Sequence, residues 1–192
     1  MIPSTPIARR TLFAGAGAAA AAALLPMQHA VAQTAAAKGD WMAMVKAQHM
    51  LVAQTFDELI ASARRTYGTR NRIIDRLGYQ LTAHSVAEEN VLYPALATAG
   101  MVTESDKLYL DQAHAKVMNT QLEMLAKTSN SPDPAWLEKA RALQTAVLQH
   151  AQQDEEANLY PKLQSSLDSQ KNAALTALFA REFATVKPRR GT

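Results

Sequence analysis

The chain contains no cysteine. This excludes disulfides, thiolate-bound zinc, iron–sulfur clusters and covalently attached c-type haem. Aromatic residues are scarce, at 6% of 192. Glycine and proline are few and fall mostly at junctions, so strand-and-turn architecture has little to build on. Acidic residues are absent before Asp40; beyond residue 32 the charges nearly cancel, with 18 Lys+Arg against 17 Asp+Glu. A nucleic-acid binder would instead show a clustered basic face. The longest apolar stretch, Thr11–Leu25, has 15 residues, short of the roughly 20 that span a membrane. What remains is 48% hydrophobic residues in a length that suits one globular domain.

Residues 1–32 do not read as fold. Arg9-Arg10 precedes an Ala/Gly-rich stretch ending at Leu25 and Pro26, and Ala30-Val31-Ala32 has the small–x–small form of a cleavage site. The paired arginines and weakly apolar middle resemble a twin-arginine export signal. That resemblance implies passage through the twin-arginine export machinery, a periplasmic or secreted location and no stable membrane anchor. It leaves a mature chain of 160 residues. Residues 33–40 then form a linker, 41–164 a helical domain, and 165–192 a C-terminal helix with a basic tail at Lys187–Arg190.

Beyond Asp40 the apolar periodicity is helical throughout. The first helix, Trp41–Thr66, aligns Met42, Val45, His49, Val52, Phe56 and Leu59. The second, Asn71–Ala97, aligns Ile74, Leu77, Leu81, His84, Glu88 and Val91, with Pro94 expected to kink or end it and Gly100 to close the turn. The third, Glu104–Lys127, is expected to face inward through Leu110, His114, Val117, Leu122 and Leu125, capped by Thr103 or Ser105. Asp133 is the expected N-cap of a fourth helix, Pro134–Leu163, that faces inward through Leu143, Val147, His150 and Asn158. A shorter fifth helix covers Leu167–Thr185. The fold class is all-α: an antiparallel up-down-up-down four-helix bundle with a short additional C-terminal helix.

The chemistry sits in an internal repeat. Glu88-Glu89-Asn90-Val91-Leu92-Tyr93-Pro94-Ala95-Leu96 and Glu155-Glu156-Ala157-Asn158-Leu159-Tyr160-Pro161-Lys162-Leu163 share E-E-x-x-L-Y-P-x-L at an offset of 67 residues. His84 and His150 precede the two copies, and His49 and His114 lie 35 and 36 residues earlier still. His84 and Glu88 are one helical turn apart on one face. His150 to Glu155 spans five residues, which departs from an ideal helical stripe by about 140°. The Tyr-Pro register nevertheless equates Glu155 with Glu88, with Asp154 as the local alternative. Two carboxylates buried among Leu and Val would be costly without a cation or protons. His49, His84, Glu88, His114, His150 and Glu155 are therefore the candidate metal ligands. Mixed nitrogen and carboxylate ligation suits two iron ions, with manganese or zinc as alternatives.

His49, His84 with Glu88-Glu89 and Tyr93-Pro94, His114, and His150 with Glu155-Glu156 and Tyr160-Pro161 resemble the hemerythrin-type HHE cation-binding family over residues 41–163. The resemblance implies a four-helix bundle around a non-haem di-iron centre that binds dioxygen or another small diatomic, or handles iron. It also implies a departure. True hemerythrins carry two histidines four apart on the third helix, whereas here His114 has Leu110 and Met118 at those distances. One imidazole is missing, which leaves an added open position and brings in a second function class, a di-iron redox enzyme acting on peroxide or nitric oxide. A ferritin-like oxidase is disfavoured because Glu-x-x-His occurs nowhere in the chain. A non-covalent haem between two histidines would leave the paired glutamates without a role.

Other residues have plainer expectations. Glu89 and Glu156 face outward or support the ligands, Tyr93 and Tyr160 pack beside the prolines, and Met44, Met50, Met118 and Met124 fill the core.

Overall fold

The computed structural model describes residues 39–128 and 134–188. The expected export segment, most of the expected linker, the expected cap Asp133 and the tail beyond residue 188 lie outside the described residues. No strand occurs among the described residues.

Helix α1 spans Trp41–Ala61 and starts where the Asp40 carboxylate accepts the Ala43 amide at 2.9 Å. Every member of its expected stripe is buried. It stops earlier than the sequence suggests, in a 3₁₀ turn at Ser62–Arg64. Thr66 then caps α2, Tyr67–Ala87. Helix α2 passes into a π-helical segment, Glu88–Leu92, and on into α3, Tyr93–Thr98. Gly100 makes the following turn at φ 92°, a conformation that suits glycine. Helix α4 spans Val102–Thr128, so Thr103 and Ser105 lie inside it rather than at its cap. The buried Ser105 hydroxyl instead donates to the Tyr93 carbonyl at 2.9 Å. Helix α5, Pro134–Gln149, passes through a second π segment, His150–Leu159, into α6, Tyr160–Ser166. Helix α7 spans Ser169–Thr185.

The two π segments follow from the sequence repeat. A proline inside an uninterrupted α-helix lacks its amide donor and clashes with the carbonyl four residues back. In both copies the chain takes a wider i→i+5 turn first: the Tyr93 amide donates to the Glu88 carbonyl and the Tyr160 amide to the Glu155 carbonyl. Pro94 and Pro161 then sit in the first turn of α3 and α6, where a missing N–H is tolerated.

The α4 face differs from expectation. Leu110, His114 and Val117 point to solvent, while Ser105, Leu108, Gln112, Asn119, Leu122 and Ala126 are buried, at three- and four-residue spacing once half-buried Ala115 is counted between Gln112 and Asn119. The apolar residues suggested one phase, but the buried stripe includes polar Gln112 and Asn119. Asn158 is likewise exposed, because the second π segment adds a residue to the turn and brings Leu159 inward. Met50 and Met124 are exposed too, whereas Met44 is core.

Apolar burial falls into two clusters. One gathers Trp41, Val45, Leu92, Leu96, Leu159 and Leu163, together with Phe179 and Phe183 from α7. The other gathers Val52, Phe56, Leu77, Leu122, Trp136 and Leu143. Helix α7 is anchored by Trp41, whose ring nitrogen donates to Asn172 Oδ1 and whose amide donates to Thr176 Oγ1, both at 3.0 Å. On α1, His49 falls between Val45 of the first cluster and Val52 of the second, and a belt of buried polar side chains separates the two. No helix among the described residues is long and apolar enough to cross a membrane.

Candidate metal centre

The polar belt brings His49, His84, Glu88 and Glu155 together, with one ligand atom from each within 4.8 Å of all the others. Glu88 and Glu155 are completely buried. His150 adjoins the group, its Nε2 lying 3.1 Å from Glu155 Oε1. The His150–Glu155 spacing works because a π turn makes an interval of five residues close to one revolution. Asp154, the local alternative, lies toward the surface and is paired with Lys107 at 2.8 Å. His114 is exposed on the outer face of α4 and does not join the cluster.

The three inward imidazoles share one orientation. His49 Nδ1 lies 2.6 Å from Glu156 Oε1, His84 Nδ1 lies 2.8 Å from Gln48 Oε1, and His150 Nδ1 lies 3.3 Å from Asp111 Oδ2. Each of these oxygens only accepts, so each ring carries a proton on Nδ1. In the neutral rings this aims three Nε2 lone pairs at the centre. His49 Nε2 and His84 Nε2 are 3.0 Å apart, and His84 Nε2 is 3.0 Å from Glu88 Oε2. Glu155 Oε2 is buried without a hydrogen-bond partner; His49 Nε2 stands 3.3 Å away, out of line for one. Lone pairs and carboxylates facing each other repel unless positive charge sits among them. The residues therefore fit a bound cation, with Nδ1 partners of the kind that orient metal-binding histidines.

Without a metal, protons supply that charge. Burial alone would lower the His49 pKa, but its contacts with Glu155 and Glu156 and the Glu88 charge outweigh burial and raise it to about 10. His150 is treated the same way: burial opposes protonation, Glu155, Glu88 and Asp111 favour it, and the pKa rises to about 9. Burial pushes Glu155 up, yet the His150 and His49 rings hold its carboxyl well below the usual range.

Two tyrosines complete the centre. The Tyr93 hydroxyl lies 3.2 Å from Glu88 Oε2 and 2.9 Å from Glu155 Oε1, and the Tyr160 hydroxyl lies 2.6 Å from Glu88 Oε1 and 2.8 Å from Glu155 Oε1. Burial first, then the two carboxylate charges, pushes both phenols well above their ordinary pKa. They are hydrogen-bond donors rather than simple packing residues. The Gln112 amide adds a bond to Glu88 Oε2 at 2.8 Å, so α4 contributes an amide where an imidazole was expected. The signal for the tyrosines was in the repeat itself: E-x-x-x-x-Y occurs in both copies, and the π turns put its two ends on one side. Glu156 supports His49, whereas Glu89 pairs with Lys116 at 2.5 Å away from the centre.

The three histidines also line a small pocket with Leu81, Ala115 and Val147. Its volume, about 20 Å³, is room for one water-sized molecule.

Comparison with known proteins agrees with this geometry. The family described as the hemerythrin HHE cation-binding domain matches residues 42–168. A curated relative from Nostoc sp. (strain PCC 7120), described as a DNA nickase, is 30% identical over 107 residues. That alignment covers 56% of this chain and 28% of the relative, so the chain spans less than a third of that protein's length. No solved structure matches. The chain belongs to the hemerythrin HHE cation-binding family.

Proposed function

We propose that this family member is an exported non-haem di-iron protein whose buried centre binds dioxygen or another small diatomic, or handles iron. The single observation that carries the proposal is the shared ring orientation: His49, His84 and His150 all turn Nε2 toward Glu88 and Glu155. Three imidazoles and two carboxylates would hold two divalent ions, and that donor set suits iron over softer metals. When bound, such a pair supplies open coordination positions and one-electron chemistry to a small ligand. The bundle is taken as antiparallel up-down-up-down, which the short connections support. Periplasmic or secreted placement follows from the twin-arginine-like segment around Arg9-Arg10.

The chain's own residues have definable tasks. Glu156, Gln48 and Asp111 fix the rings. The apolar clusters on either side exclude bulk water, and the small pocket limits the ligand to a few atoms. Tyr93 and Tyr160 hold their protons beside the carboxylates and donate hydrogen bonds.

The two phenols favour a second reading, a redox enzyme for peroxide or nitric oxide, because they place exchangeable protons at the centre. The test is to load the protein with iron and follow its absorption under dioxygen. A reversible spectral change, with peroxide or nitric-oxide turnover no faster than free iron, supports binding. Rapid turnover supports the enzyme. Failure to take up iron would remove both.

A further inference from the structure

A second cavity lies outside the centre, between α2 and α4, with a volume of about 350 Å³. Lys116 and Asn119 line it on the α4 side, and Val186 and Lys187, which follow α7, reach its wall. It shares Leu81, Gln112 and Ala115 with the small pocket against the histidines. The two spaces are therefore neighbours, separated by those three side chains.

Two further observations mark this cleft as an open, wet space. Gly78 lies inside α2, where glycine is about 1 kcal/mol less favourable than alanine. A Cβ there would stand 3.4 Å from Asn119 Nδ2 and 3.6 Å from Glu123 Oε1, so any longer side chain would enter the cleft. Asn119 is nine-tenths buried, and its Oδ1 has no hydrogen-bond partner within the protein. A buried amide oxygen beside a cleft is satisfied by water entering from it.

We propose that small uncharged ligands reach the buried centre through this α2–α4 cleft, with Leu81 and Ala115 forming the throat between cleft and centre. Gln112 is the fixed wall of that throat, because its amide is held by Glu88 Oε2 at 2.8 Å and the Tyr93 hydroxyl at 3.1 Å. Ala115 sets the bore by having only a methyl group. Leu81 is half-buried and supplies the adjustable side. Polar Lys116 and Asn119 keep the outer cleft hydrated, while Leu81, Ala115 and Val147 present an apolar inner passage. Charged solutes lose their hydration there, and neutral diatomics do not. The ligand class follows from the roughly one-water volume at the inner end.

The proposal rests on the centre being a ligand-binding metal site, but its test has one arm without metal. In the metal-free protein, dissolved dioxygen under pressure is used as a paramagnetic probe of methyl resonances. Val52 and Val147 methyls beside the inner pocket are expected to relax faster with dioxygen, and Ala115→Leu is expected to suppress that effect. In the iron-loaded protein, stopped-flow mixing with nitric oxide measures entry. Ala115→Leu is expected to slow association about tenfold, and Leu81→Ala to accelerate it, with iron content unchanged. Ala157→Leu, an added side chain on the exposed surface, controls for bulk. If neither throat variant alters dioxygen relaxation or nitric-oxide association, entry is elsewhere and the proposal is overturned. If iron fails to load while the relaxation effect follows the throat variants, the passage stands and the di-iron reading falls.

Discussion

His49 and His84 meet Nε2 to Nε2 at 3.0 Å, and each is held from behind through Nδ1, by Glu156 and Gln48 respectively. Two imidazoles arranged this way gain nothing from each other in their neutral forms. They are arranged for a positive charge between or beside them, and Glu88 and Glu155 complete its surroundings.

The exposed His114 and the buried His150 should separate cleanly. His114→Ala is expected to leave metal content and thermal stability unchanged, within about 0.5 kcal/mol for a surface substitution. His150→Ala is expected to lose most of its bound metal. Elemental analysis and a thermal melt of both variants decide the matter, and equal metal loss in both would contradict the placement.

Glu156 acts on His49 through a 2.6 Å contact rather than by lining the centre. Glu156→Gln should weaken metal affinity by about 10–100-fold while keeping the stoichiometry at saturation. A chelator competition titration reads this directly. An unchanged affinity would show that the carboxylate does not set the ring.

In the metal-free protein, pH should act in a definite direction. His49 and His150 have pKa values raised to about 10 and about 9 from the usual 6.5. Their contribution to stability is fully present below about pH 6.5 and is lost as pH rises through those values. The depressed Glu155 carboxyl has the opposite sign: its contribution is present above the ordinary carboxylate pKa and is lost as pH falls through its lowered one. Denaturant melts of the metal-free form should therefore weaken steadily between about pH 7 and pH 10. Metal must displace the ring protons, so its affinity should rise over the same interval.

Helix α7 is part of the core through Phe179, which is completely buried. Phe179→Ala should destabilise the protein by about 3–5 kcal/mol, lowering Tm by roughly 10 °C for a domain of this size. Calorimetry checks it. A shift of only a degree or two would mean that α7 is dispensable to the bundle.

Much of this was legible in the sequence because helices announce themselves by spacing. The α1 stripe from Met42 to Leu59 is buried as its periodicity indicates, and His49 comes inward with it. The repeat led to Glu155 even though ideal helix geometry favoured Asp154. What the sequence could not display was the π turn that reconciles the two, because such a turn depends on a proline's effect on hydrogen bonding several residues upstream. The α4 face misled for a different reason. Its buried positions include Gln112 and Asn119, kept inside by the polar centre and cleft, while Leu110, Val117 and Met124 are exposed. A rule that sends apolar residues inward then selects the wrong phase and carries His114 in with it. Tyr93 and Tyr160 look like packing residues in the sequence because the E-x-x-x-x-Y interval aligns its ends only on a π turn.

The central claim is tested most directly by counting metal in protein folded with excess ferrous iron, then freed of unbound ions under anaerobic conditions. The arrangement of His49, His84, His150, Glu88 and Glu155 predicts about two iron ions per chain, lost when Glu88 and Glu155 are both replaced by Gln in a variant whose helical circular dichroism is retained. A chain that emerges without bound iron, and is as stable as one never exposed to it, would contradict the account.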